Sequence, residues 1–429
     1  MNGLNLILIY FLLFTIWLEK VSGFSMGLIK GLSFTNLGIY LLFIAWSFKY
    51  AKDKFLFDKN NLNWSIITFL FVVLISVFVK ILIDEIPGLS LKRELFKLKA
   101  DFTPYLLFFI VFNTIRDIKT CEKVLLGLIV FFGATLSTLI LQKFGFAELS
   151  SVSVHRMGRA SGWGNANSYA SFLVLFIPII ITHLIFAKAK LTKRIYLFIF
   201  IISIIGLLIT GSRGGIISFV FSMSIYMLYI KKEVNVPFSK ILSGTMILFV
   251  IGLAGLFIAP KDVRVMISER FSLFTSVVEE NSEIDPNKAV GGRFKLWSSG
   301  LKLVFERPIV GHGNDTVKEL MYDRFGLDAP AHNQFINYMV QYGVIGLSVY
   351  LIMHLQILRH FLDSIRKTSK KFEKCLYIAF ISGLSGWMFS MLGVQLFLQT
   401  PIFWIFTAVM YRYSEFNRNL GHAKGSTTH

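Results

Sequence analysis

The feature that most limits what this chain can fold into is a succession of apolar runs free of Asp, Glu, Lys and Arg, among them Trp64 to Val79 and Phe172 to Phe186. Each approaches the ~20 residues an α-helix needs to cross the hydrocarbon of a bilayer. Composition points the same way: 55% of the 429 residues are hydrophobic, 15% aromatic and only 16% charged. A soluble domain is not built from that mixture. The length would suit two or three soluble domains, yet one helical membrane domain is the simpler account.

The runs delimit about twelve candidate spans: Leu4 to Leu18, Phe34 to Phe48, Trp64 to Ile83, Phe102 to Ile115, Val124 to Gln142, Ser168 to Phe186, Ile195 to Thr210, Gly215 to Ile230, Ile241 to Ala259, Asn333 to Leu358, Leu376 to Gly393 and Phe397 to Tyr411. The first run has no Lys or Arg before Lys20, so it lacks the basic n-region of a cleaved signal peptide and is taken as a span. The expected organisation is a membrane domain of nine helices over 1–259, a large extracytoplasmic loop over 260–332, three further helices over 333–413 and a cytoplasmic tail over 414–429.

A net charge of +19 invites a nucleic-acid reading, but the basic residues lie in short clusters between apolar runs rather than in one stripe, so no nucleic acid is expected. With the N-terminus inside, 23 of the 44 Lys and Arg fall on the cytoplasmic connections and tail. That is the bias expected of a multi-pass protein of the bacterial cytoplasmic (inner) membrane with both termini inside. Cys121 and Cys375, without disulfide or metal-ligand spacing, would face the reducing cytoplasm as plain thiols.

Three polar clusters interrupt the pattern just before spans six, eight and ten: Gly162-Trp163-Gly164-Asn165-Ala166-Asn167, Thr210-Gly211-Ser212-Arg213-Gly214-Gly215 and Pro330-Ala331-His332-Asn333-Gln334. Those spans all run inward, so the three helix starts share the outer face with the long loop. Arg213, among glycines and at a helix N-terminus, suits a phosphate. The alternative is an arginine snorkelling beside a tight helix hairpin. Arg293 follows Gly291-Gly292 and opens an expected amphipathic helix, Arg293 to Phe305, with Phe294, Trp297, Leu301, Val304 and Phe305 on one face. Arg156 and Arg159 are lesser candidates for the same role, and His312 reads as a turn residue. His332 suits a general base, with a hydrogen-bonded helix cap as the plainer alternative. The chain has no Asp-x-Asp, HExxH, GK[ST] phosphate loop, Gly-x-Ser-x-Gly or Cys-x-x-Cys, so neither a metal, ATP nor any other cofactor is indicated.

In order, Gly-Asn-Ala-Asn, Thr-Gly-Ser-Arg-Gly-Gly, Gly-Gly-Arg-Phe-Lys-Leu-Trp, Gly-His-Gly-Asn, Ala-His-Asn-Gln-Phe and Tyr-Gly-Val-Ile-Gly at 342–346 resemble the O-antigen ligase and Wzy-type polymerase family. The resemblance covers roughly residues 161–350. It implies an all-α, GT-C-like membrane glycosyltransferase, inverting and metal-independent, whose active site faces outward. It also implies an undecaprenyl-pyrophosphate-linked oligosaccharide donor, a saccharide or lipid A core acceptor, membrane lipid around the helices, and other polysaccharide-assembly proteins as partners. Carried over, Arg213 and Arg293 handle the pyrophosphate and His332 the acceptor. Arg156, Arg159, Asn165, Asn167 and Asn333 are expected around the substrate. The motifs do not separate a polymerase, the favoured expectation, from a ligase. A flippase or secondary transporter is the competing class; against it, few ionisable residues lie in mid-span.

Overall fold

The structure, a computed structural model, describes residues 2–21, 33–50, 61–83, 91–143, 165–234, 293–394 and 400–425. Inside hydrocarbon no water satisfies backbone N–H and C=O groups, so apolar runs must bond internally as helices. They do: α1 (Asn2–Ile16, continued by a π-helical turn, Trp17–Val21), α2 (Phe34–Tyr50), α3 (Asn61–Ile83), α4 (Leu91–Thr114), α5 (Ile118–Lys143), α6 (Ala166–Phe186), α7 (Lys190–Ile209) and α8 (Arg213–Ile230) precede the loop. From Arg293 onward come α9 (Arg293–Glu306), α10 (Val317–Phe325), α11 (Gln334–Lys367), α12 (Lys371–Ser390) and α13 (Thr400–Gly425). The expected ninth span, the loop over 260–292, Arg156 and Arg159 lie outside the described residues.

Six of these helices, α3, α5, α6, α7, α8 and α11, are long and apolar enough to cross a membrane, and α1 and α2 are shorter apolar helices. Phe71 and Phe78 on α3, Val130 on α5 and Val220 and Leu228 on α8 point outward, where lipid rather than water suits them. The chain is a multi-pass helical membrane protein. The fourth span, expected as Phe102 to Ile115, is the inner part of a longer helix: α4 begins at Leu91, and its first turns carry Glu94, Lys97 and Asp101.

α6 is the most enclosed helix, buried at nearly every position from Ala166 to Thr182. It packs against α7, α8 and α12. Close approach depends on small residues: a Cβ on Gly386 would lie 2.6 Å from both Ser222 Cβ and Val174 Cγ1, and one on Gly383 would strike the Leu175 carbonyl. On the far side α13 packs on α4 and α5, and α11 on α3.

The amphipathic helix α9 is present, and of its expected face Val304 is buried and Trp297 packs against the same cluster, but the other three residues do not pack. Ser299, Gly300, Leu303 and Val304 are buried, whereas Phe294, Leu301 and Phe305 are exposed. Counting large apolar side chains missed the small ones that admit a neighbour: a Cβ on Gly300 would lie 2.7 Å from Ile336 Cγ2 on α11. The exposed phenylalanines are left for lipid or interface.

α11 breaks at Gly343 (φ 65°, ψ −169°), a backbone region essentially closed to other residues. The segment after α9 enters the break. His312 N donates to Val340 O at 2.7 Å, Gly313 N to Gln341 O at 3.0 Å and Val344 N to Pro308 O at 2.8 Å. His312 is buried there, its Nε2 2.8 Å from Leu303 O, which fits the turn role read from the sequence. Next to it Lys80, 1% exposed, pairs with Glu94 at 3.2 Å and donates to Asn314 O at 3.3 Å. Lys97 pairs with Asp315 at 2.9 Å. The loop is thereby fastened to α3, α4 and α11.

Candidate functional site

Each of the three polar clusters supplies a helix N-cap. Asn165 Oδ1 accepts from Ser168 N at 2.9 Å at the start of α6. Ser212 Oγ accepts from Gly215 N at 3.1 Å at the start of α8. Asn333 Oδ1 accepts from Phe335 N at 3.0 Å and Ile336 N at 3.2 Å at the start of α11. These caps satisfy amides that would otherwise be orphaned in the first turn. Asn165 and Asn333 thus commit their oxygens to the helices, and only their amide N–H groups remain to meet a ligand. Asn167, in the first turn of α6, is half-buried.

The packing of α12 sets these starts at one level. Ser222 Oγ donates to Ser382 O at 2.8 Å, and Gly386 faces Ser218 and Val174. α12 therefore runs antiparallel to both α6 and α8. Arg213 lies five residues before Ser218 and Met391 five beyond Gly386, each a rise of roughly 7 Å in the same direction. The starts of α6 and α8 and the end of α12 thus meet at one end of the bundle. The start of α11 joins them, because Gln334 N donates to Met391 O at 2.9 Å. Arg293 joins them too: its Nη1 would lie 3.1 Å from a Cβ on Gly393. Arg293 and His332 lie together at the Met391–Gly393 corner, and Arg213 starts its helix at the same end of the bundle. Among the described residues no three His, Cys, Asp or Glu side chains gather as a metal would need.

His332 is unusual in its backbone. With φ 49° it occupies the left-handed region that side-chain-bearing residues seldom enter. It is held there by its neighbours: Ala331 is buried with its N–H donated to Asn337 Oδ1 at 3.2 Å, and Asn333 caps α11. Strain of this kind concentrates at functional sites. His332 is exposed to solvent while its chain neighbours Ala331 and Asn333 are buried. Desolvation first, and the nearby Arg293 guanidinium second, hold its pKa below the ordinary 6.5. It is a neutral imidazole at physiological pH, as a proton acceptor must be.

Two features of the site were not read from the sequence. The Met391–Gly393 corner, where the cationic and imidazole groups meet, carries no chemistry of its own, and only tertiary packing reveals it. The second is a polar chain beside the first turns of α11: Asn314 Nδ2 donates to Asp101 at 2.6 Å, and Tyr342 OH donates to Asn314 Oδ1 at 2.7 Å. Asp101 lies just outside the expected fourth span, in no motif that marks it in the sequence. Burial pushes its pKa up to about 6.

Comparison with known proteins bears on the centre of the chain. A Haemophilus influenzae protein described only as an uncharacterized protein is 26% identical over 211 residues, covering 47% of this chain and 51% of the relative. The chain thus spans about half the length of the curated relative it matches. The O-antigen ligase model Wzy_C matches residues 198–351, a stretch that contains Arg213, Arg293 and His332. The family that the ordered motifs resemble is therefore the one whose model matches residues 198–351.

Proposed function

We propose that this chain is a membrane glycosyltransferase of surface-polysaccharide assembly. It moves an oligosaccharide from undecaprenyl pyrophosphate to an acceptor hydroxyl with inversion, joining repeat units on the outer face of the cytoplasmic membrane. The observation that carries this reading is His332, neutral and held in a left-handed backbone beside Arg293, at the bundle end where Arg213 opens α8.

The chemistry follows from the placement. His332 takes the proton of the acceptor hydroxyl as its oxygen attacks the anomeric carbon. The glycosidic C–O bond to pyrophosphate breaks on the opposite face, which inverts the configuration. Arg213 and Arg293, aided by the first amides of α8, stabilise the negative charge gathering on the departing pyrophosphate. A pyrophosphate is already a competent leaving group, so neither ATP nor a metal is required by this scheme. Asn165, Asn167 and Asn333 offer amide N–H groups around the donor, and Arg156 and Arg159 precede that same helix start.

Purified protein reconstituted with lipid-linked repeat units tests the reading. Elongated lipid-linked glycan without ATP or divalent metal is the expected product. Glycan appearing only on lipid A core would make the enzyme a ligase. Movement of the lipid-linked unit across the bilayer with no new glycosidic bond would replace the transferase with a flippase.

A further inference from the structure

A cavity of about 410 Å³ opens beside the first two turns of α11, on the side facing α3 and α4. Its volume is that of a small-ligand site. Tyr105, Tyr338 and Tyr342 supply aromatic walls, and Asp101, Gln341 and Lys99 supply polar groups. A smaller cavity shares Tyr105, Tyr338 and Thr400 with it and extends to Gln334 and Met391. Tyr338 is hydrogen-bonded to Gln334, two residues from His332. The larger cavity is therefore separated from the Arg293–His332 corner by little more than the Tyr338 and Gln334 side chains. Nothing in the proposed handling of the donor uses it.

We infer that this cavity seats the acceptor saccharide, with Asp101 and Gln341 receiving sugar hydroxyls and the tyrosine rings packing on the C–H faces of the pyranose. The inference rests on the transferase reading above and extends it to the second substrate. Charge favours this occupant over the donor pyrophosphate: among the lining residues Lys99 is matched by Asp101, and no cationic surplus remains. A polyisoprenoid tail fits worse, because the Asp101 carboxylate and the Lys99 ammonium on the wall would face hydrocarbon. Sugar hydroxyls can bond to both of those groups, and the apolar lining, Phe69 and Leu107 among it, suits the C–H faces of the ring. Asp101 is already aimed by Asn314, whose amide is fixed in turn by Tyr342. The arrangement places the two substrates on opposite sides of the α11 start, with His332 between them.

Binding to the full chain in nanodiscs tests this without depending on turnover. The probes are the oligosaccharide released by mild acid from the lipid-linked pool of the source cells and, separately, the delipidated core oligosaccharide of their lipopolysaccharide. Whichever binds identifies the source of the acceptor. Ala100→Trp, at an exposed helical position on the cavity wall, is expected to weaken that binding at least tenfold. Asp101→Asn, which keeps the shape, is expected to weaken it several-fold, and in the transfer assay both variants raise the acceptor KM and leave the donor KM unchanged. Binding by both variants within twofold of wild type, or no binding of either saccharide to wild type, overturns the assignment. Saccharide binding that the variants lose, in a protein that makes no glycosidic bond, upholds the seat and removes the transferase reading instead.

Discussion

His332 combines a left-handed backbone, which Asn or Gly would also tolerate, with an imidazole whose pKa desolvation and Arg293 hold down. Replacing it with Asn keeps the tolerance for that backbone and removes the base. His332→Asn is expected to reduce glycan transfer by ~10² to 10⁴-fold, the usual range for a lost general base, with unchanged protein level in the membrane. A loss of transfer matched by a loss of folded protein would mark His332 as a cap only. The sign of the pH dependence also follows. Protonation removes the base, and the lowered pKa delays protonation, so the acid limb of kcat/KM should have its midpoint below pH 6.5. Arg293→Gln removes a charge that opposes protonation, so in the residual activity the acid limb should move to higher pH. A limb already at 6.5 in wild type, or unmoved by the substitution, would separate His332 from Arg293.

At the level of elements, the break in α11 is the joint that docks the loop. Gly343 adopts a conformation open to glycine, and a Cβ there would run into the Ile309 carbonyl. Gly343→Ala is expected to cost about 1–3 kcal/mol from the backbone alone, with the collision adding to it, and to release the Pro308–Gly313 turn from α11. Gly133 in α5 is the contrast: an added Cβ meets nothing within 4 Å, and Gly133→Ala should raise stability by about 1 kcal/mol through helix propensity. Thermal unfolding in detergent would read both, and limited proteolysis after α9 would report the release. Equal stability of the two variants would mean that the break carries no docking.

Across the whole molecule, the buried Lys80–Glu94 pair ties the segment after α9 to the membrane helices through the Asn314 carbonyl. Lys80→Met leaves the Glu94 carboxylate enclosed without its main partner, which typically costs about 3–5 kcal/mol. Lys80→Met with Glu94→Leu should recover most of that, since two apolar side chains can share the same space. Melting temperatures of the single and double variants are the measurement. No recovery in the double variant would show that the Asn314 contact, rather than the unpaired carboxylate, carries the effect.

The sequence by itself determined that the solvent is a bilayer, that its apolar runs are helical, and which residue types gather at the starts of α6, α8 and α11. Asn165, Ser212 and Asn333 cap the helices their clusters precede, because a capping side chain acts on amides two or three residues away. Only the tertiary structure decided what those starts meet. The Arg293 guanidinium lies against Gly393, the turn at His312 fills the break at Gly343, and Asn314 aims Asp101. The buried face of α9 belongs to the same class, since Ser299 and Gly300 are apt for packing only when α11 lies opposite. Caps and hydrophobic periodicity are local and leave their pattern in consecutive residues. Contacts between helices distant in the chain depend on small residues and on carbonyls freed by a kink, and neither has a periodic signature.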